Sequence, residues 1–230
     1  MLNDLTQSVF FGAVLSLAAY EIGLMCKKRW RLAIFNPLLI GIFLVVGTLA
    51  LLKIPYDAYQ SGAKYISYLL TPATVCLAVP LYEQLELLKK NALAIFAGII
   101  AGVLTSVTLV LLFAAVFHFS HTEYVTFLPK SVTTAIGMGI SEQLGGNVSI
   151  TVVVIVVTGV LGNILGEPIL RLFAITNPIA KGIAMGSSSH AIGTAKAMEM
   201  GQVEGAMSGL AIAVAGILTV FAAAVFGLLY

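Results

Sequence analysis

Charge is what this chain has least of. Only 10% of its 230 residues are Asp, Glu, Lys or Arg, against about 25% in soluble domains. The net charge of +2 is too small to mark a nucleic-acid partner. Cysteine is almost missing: Cys26 and Cys76 lie far apart, on or beside apolar segments. That excludes a disulfide framework or a thiolate metal site and leaves two small buried hydrophobes. His118-x-x-His121 has helical spacing but no third ligand nearby, so no metal and no cofactor are expected. The short alternating segments of a membrane barrel are absent. So are the basic n-region and cleavage site of a signal peptide, and the first apolar segment should be retained.

What is present is apolar. Hydrophobic residues make up 60% of the chain and the mean hydropathy is +1.05. This composition predicts an all-α integral membrane protein, a single polytopic domain over residues 1–230 embedded in a lipid bilayer. Smooth spans are expected at residues 6–25, 33–52, 92–117, 148–165 and 206–229. A helix over 63–82 should be interrupted at Pro72 and Pro80, because each proline removes a backbone donor and clashes with the preceding turn. Residues 83–90 read as a loop, and Glu167-Pro168 as the close of the fourth smooth span. Six full spans plus two re-entrant segments, one dipping from each face, fit the loop charges better than eight crossings. The cluster Lys27-Lys28-Arg29-Trp30-Arg31 belongs on the cytoplasmic side of the membrane, with the N-terminus outside.

The re-entrant candidates are two polar, glycine-punctuated runs. One covers 127–146, with Pro129, Lys130, Ser131, Thr133, Thr134, Gly137, Gly139 and Glu142. The other is Gly186-Ser187-Ser188-Ser189-His190-Ala191-Ile192-Gly193-Thr194-Ala195-Lys196. Non-helical backbone at membrane depth must line a cavity or pack against protein, and ionisable groups there are costly without a use. A repeated unit of about sixty residues, a smooth span followed by a broken segment, accounts for both. Leu32-Ala33-Ile34-Phe35 recurs as Leu93-Ala94-Ile95-Phe96, and Glu83-Gln84-Leu85 as Glu142-Gln143-Leu144. Such repeats build inverted-repeat transporter-like architectures.

The chemistry that suits these runs is recognition of a small carboxylate. A half-helix N-terminus presents free amides and the positive end of its dipole. Lys130 and His190 would balance charge, while Ser131, Thr133, Thr134, Ser188, Ser189 and Thr194 would donate hydrogen bonds. Gly193 would allow close approach, and Pro72 and Thr74 would shape a break opposite. Glu142, Glu167 and the amide of Asn163 are candidates for coupling or for pairing with Lys130. The competing account has the hydroxyls only satisfying backbone carbonyls, with Lys196 snorkelling to headgroups. Adjacent Ser189-His190 lacks a nucleophile elbow, so no enzyme is expected.

Three blocks carry a resemblance: Leu70-Thr71-Pro72-Ala73-Thr74-Val75 with Val79-Pro80-Leu81-Tyr82-Glu83-Gln84; Leu128-Pro129-Lys130-Ser131-Val132-Thr133-Thr134; and Ser188-Ser189-His190-Ala191-Ile192-Gly193-Thr194-Ala195. On these the chain resembles the LrgB/CidB family over essentially its whole length; Ala135 stands where the family often has proline. The resemblance implies two functions. One is antiholin-like control of murein hydrolase activity and autolysis with a small holin-like (LrgA/CidA-type) partner. The other is transport of pyruvate, glycolate, glycerate or lactate, with a homo-oligomer left open. The residues themselves favour transport. The regulatory account instead predicts function on small-residue faces, Gly98/Gly102 and Gly162/Gly166.

Overall fold

The computed structural model describes residue 6 and residues 8–30, 35–76 and 78–230. Asn3, Asp4, Arg31 and Leu32-Ala33-Ile34 of the first repeat copy lie outside the described residues, as does the side chain of Thr74. Every element among the described residues is a helix. The chain divides into two compact units, Met1–Cys76 and Leu77–Tyr230.

In the first unit α1 (Phe11–Trp30) packs on both α2 (Pro37–Leu51) and α3 (Tyr56–Ser67), and α4 (Leu70–Cys76) follows. Asn36 starts α2: its side chain accepts from the Leu38 and Leu39 amides, and Pro37 occupies the first helical position. A proline there loses no hydrogen bond. Ser16 Oγ lies 2.9 Å from Tyr59 Oη across the α1–α3 contact. The expected interruption at Pro72 is displaced. Helix α4 begins two residues before Pro72, after a turn at 68–69, and Pro80 lies within α5 (Ala78–Glu83). First-turn amides have no intrahelical partner, so Pro72 follows a break and does not cause it.

In the second unit α6 (Leu85–Phe117), α9 (Val148–Leu172) and α11 (Gln202–Phe226) are each long and apolar enough to cross a membrane. Residues 85–90, expected as loop, form the first turns of α6, bent at Asn91, whose side-chain amide donates to Leu87 O at 2.9 Å. Helix α9 also runs past Glu167-Pro168 to Leu172; a proline inside the helix forfeits one backbone bond, not the helix. On α6, Ile95, Ile99, Val103, Val107, Val110 and Ala114 are buried, one stripe at helical spacing. Leu93, Phe96, Ile100, Leu104, Leu109 and Leu112 on the other faces are exposed, as lipid contact requires.

Between these spans lie two helical hairpins. The first is α7 (His121–Phe127), a turn over 128–133, and α8 (Thr134–Gln143). His118, at φ 53°, ends α6 in the left-handed conformation, and a capping box of Ser120 and Glu123 starts α7. The Ser120 amide and hydroxyl hold the Glu123 carboxyl below its ordinary pKa. Both ends of this hairpin sit at the C-terminal end of α11: Tyr124 Oη donates to Phe226 O at 2.9 Å, and Leu144 packs by Gly227. Its turn meets Ser106, which is roughly 16 Å down α6 from Phe117 at 1.5 Å per residue. The segment is a hairpin that returns to the end it left. Its entering arm begins at His121, earlier than the polar run suggested.

The second hairpin is α10 (Pro178–Met200) folded on itself. Only Ser189 (φ −132°, ψ 16°) and His190 (φ 41°, ψ −139°) leave the helical conformation, so the polar run is helical on both sides of a two-residue break. Gly186 and Thr194 both lie against Ser208, and Lys181 and Lys196 line one cavity, so the arms are antiparallel. This hairpin opens at the opposite end from the first. The unit is therefore a span and a hairpin (α6, α7–α8), then the same arrangement inverted (α9, α10), closed by α11. Glu83-Gln84-Leu85 and Glu142-Gln143-Leu144 occupy equivalent junctions, each between a broken segment and the following span.

Candidate functional site

The two hairpin tips come together around the middle of α6 and α9. On α6, Gly102 faces Ser187 of the second hairpin, and one turn later Ser106 faces Lys130 and Ser131 of the first. On α9, the Ile155 side chain packs on Gly137 while its carbonyl accepts from His190 Nε2 at 2.9 Å. One residue thus touches both hairpins.

The first tip is built by loss of helix. Pro129 has no amide to donate, and Thr133, in an extended conformation, starts α8 without a side-chain cap bond. Amides of the first turn of α8 are therefore left to other partners. Lys130 Nζ donates to Ser131 Oγ at 3.0 Å and to Ser106 Oγ at 3.2 Å, and the two hydroxyls are 3.0 Å apart. No carboxylate among the described residues pairs with this half-buried ammonium. The proton inventory is informative. Both hydroxyls accept from Lys130 and one donates to the other. One hydroxyl proton and one ammonium proton remain unclaimed, side by side. Two convergent donors carrying a positive charge match the two oxygens of a carboxylate.

The second tip uses its hydroxyls differently. Ser187 and Ser188 donate to the carbonyls of Ile183 and Ala184, each at 2.7 Å, and Ser188 Oγ lies 2.9 Å from Ser189 Oγ. Thr194 Oγ1 donates to His190 O and lies 2.7 Å from Ser208 Oγ. These groups are mostly satisfied inside the hairpin, the backbone-satisfying role. Because a carbonyl only accepts, His190 must carry its proton on Nε2, leaving Nδ1 as an acceptor in the neutral ring. No hydrogen bond joins Ser189 to the imidazole. The positive φ of His190 is unusual for a residue with a Cβ and marks the reversal as strained.

Glycines make room for this tip. A Cβ at Gly159 would meet the His190 ring, one at Gly162 the Ser189 side chain, and one at Gly166 the Met185 sulfur. Gly98 and Gly102 face Ile183 and Ser187. Both Gly-x-x-x-Gly faces are thus occupied from within by the second hairpin. The neighbouring amide serves it too, Asn163 Nδ2 donating to Ile192 O at 2.8 Å, and Gly193 packs on Met185 O.

Other candidates lie elsewhere. Glu142 is exposed, away from Lys130's partners. Glu167 forms ion pairs with Arg171 and, at 2.8 Å, with Lys196. Lys196 is thereby tied to α9, not left to snorkel. Thr133 and Thr134 stand at the start of α8; Pro72 is exposed in α4 of the first unit. Sequence reading missed Ser106, hidden in a span that looked featureless; the hydroxyl run Thr105-Ser106-Val107-Thr108 was its signal. It also missed the lock on the first hairpin, where Thr151 Oγ1 lies 2.8 Å from Ser141 Oγ and donates to Thr126 O at 2.9 Å.

A model of the LrgB-like family matches residues 16–228. The antiholin-like protein LrgB of Bacillus subtilis (strain 168) is 40% identical over 222 residues, 96% of each chain. No solved structure matches. The chain belongs to the LrgB-like family.

Proposed function

We propose that this chain carries small monocarboxylates, of the size of pyruvate, lactate, glycolate or glycerate, across the bacterial cytoplasmic membrane. The observation that carries this reading is Lys130: an ammonium held by two hydroxyls, without a carboxylate partner among the described residues, at the meeting of two opposed hairpins. Burying an unpaired charge is costly, and a bound carboxylate would complete the site. Opposed re-entrant hairpins are also what alternating-access carriers use to expose one site to each face in turn. The reading is non-enzymatic and places the N-terminus outside.

The test is uptake of labelled pyruvate and glycolate into proteoliposomes containing this chain alone, with and without a pH gradient. Saturable uptake that fails in Lys130→Ala supports it. Wild-type uptake by a folded Lys130→Ala protein sinks it.

A second reading rests on the name of the Bacillus subtilis relative, which favours it over transport. Here the chain is an antiholin-like regulator of murein hydrolase activity, acting with a small holin-like membrane partner. In that case autolysis in cells should respond to loss of the partner and be indifferent to Lys130→Ala. The two readings merge if carboxylate flux is what perturbs the envelope.

A further inference from the structure

We infer that the mouth of the second hairpin holds a second small-anion site, centred on Lys181 and distinct from the Lys130 tip. A cavity of about 340 Å³ opens there between the two arms of α10, the end of α9 and the start of α11. Three bases and three acids line it: Arg171, Lys181, Lys196, Glu167, Glu199 and Glu204. The formal balance is neutral, but the pairing is not.

Glu167 is bound by both Arg171 and Lys196, and Glu199 reaches Lys196 at 3.4 Å. Glu204 is the third residue of α11 and folds back over Gly201. There the positive end of the helix compensates its charge. Lys181, like Glu204, has neither an ion pair nor a side-chain hydrogen bond with any described residue, although it is half-buried and lines the cavity. Arg171 and Lys196 are matched by Glu167 and Glu199, which leaves Lys181 as the cation of this lining without a paired carboxylate. The ligand this fits is a monoanion with two or three acceptor oxygens, a carboxylate or a phosphate monoester. It would bridge Lys181 on the outgoing arm to the Arg171–Lys196 side.

On the carrier reading, from which only the ligand's identity is taken, this is where the carboxylate docks before reaching Lys130. Its first test does not depend on transport. Equilibrium dialysis of labelled pyruvate is performed on the full chain in phosphatidylcholine nanodiscs. The inference expects two pyruvates per wild-type chain, one in Lys181→Gln, one in Lys130→Gln and none in the double variant. Lys181→Arg should restore the second. In proteoliposomes Lys181→Gln should raise the uptake KM several-fold with Vmax kept. Unchanged stoichiometry in Lys181→Gln, with thermal stability intact, overturns the inference. So does a Lys181-dependent equivalent that disappears when phosphatidylglycerol is added to the discs, because the cavity would then belong to a lipid headgroup. Lys181-dependent binding without any uptake would sink the carrier reading and leave this site standing.

Discussion

Lys130 Nζ lies 3.2 Å from Ser106 Oγ, a contact between a hairpin turn and the middle of a neighbouring span. Ser106 and Ser131 orient the ammonium and, by hydrogen-bonding to each other, commit one hydroxyl proton outward. The geometry separates the charge of the site from its alignment.

The first prediction follows from that separation. A charge-assisted hydrogen bond contributes about 1.5–3 kcal/mol and a neutral one about 1 kcal/mol, and each 1.4 kcal/mol is about tenfold in affinity. Lys130→Gln should weaken carboxylate affinity by roughly 10- to 100-fold and Ser106→Ala by about five-fold. Concentration-dependent uptake in proteoliposomes reads both; equal effects of the two changes would contradict the assignment.

The glycine groove on α9 makes a steric prediction. Gly162→Ala drives a Cβ into the Ser189 side chain, whereas a Cβ at Gly139 meets nothing within 4 Å. Overpacking costs about 1–3 kcal/mol, while an open helical glycine gains roughly 0.5–1 kcal/mol on becoming alanine. Thermal denaturation in detergent should show Gly162→Ala less stable than wild type and Gly139→Ala at least as stable.

The reversal at His190 should tolerate glycine better than alanine. Its φ of 41° favours a residue without Cβ, and both changes remove the imidazole bond to Ile155 O. His190→Gly should therefore be the more stable by about 1 kcal/mol. The reverse order in the melting temperatures of the two purified variants would show that strain at this residue is negligible.

Thr151 locks the first hairpin to α9 through the Thr126 carbonyl and the Ser141 hydroxyl, and all three residues are buried. Thr151→Val leaves those partners unsatisfied, at a cost of about 1–3 kcal/mol. The loss should appear as a lower melting temperature and as faster hydrogen exchange at residues 141–147, with exchange in the second hairpin unaltered. Uniform acceleration across both hairpins would mean the network is not local to the first.

Much of this protein was legible before any coordinates. The near-absence of charge, the apolar runs around Val103, Ile155 and Ala215, and the two interruptions between them fix a helical membrane protein. The physical reason is that hydrocarbon leaves the backbone no partner but itself. The repeated span-and-break unit follows from the same pattern, as does the interruption over 127–146. Exact breakpoints did not, because a proline in a first turn and a proline in a helix interior look alike in sequence; Pro72 and Pro168 both differ from the naive reading. Nor could polarity alone tell which hydroxyls stay available. Ser187, Ser188 and Thr194 resemble Ser131 in the chain, yet they spend protons within their own hairpin. Ser131 meets an ammonium and a second hydroxyl from a helix 25 residues away. Only tertiary structure decides that, because whether a donor is free depends on what lies within 3 Å of it in space.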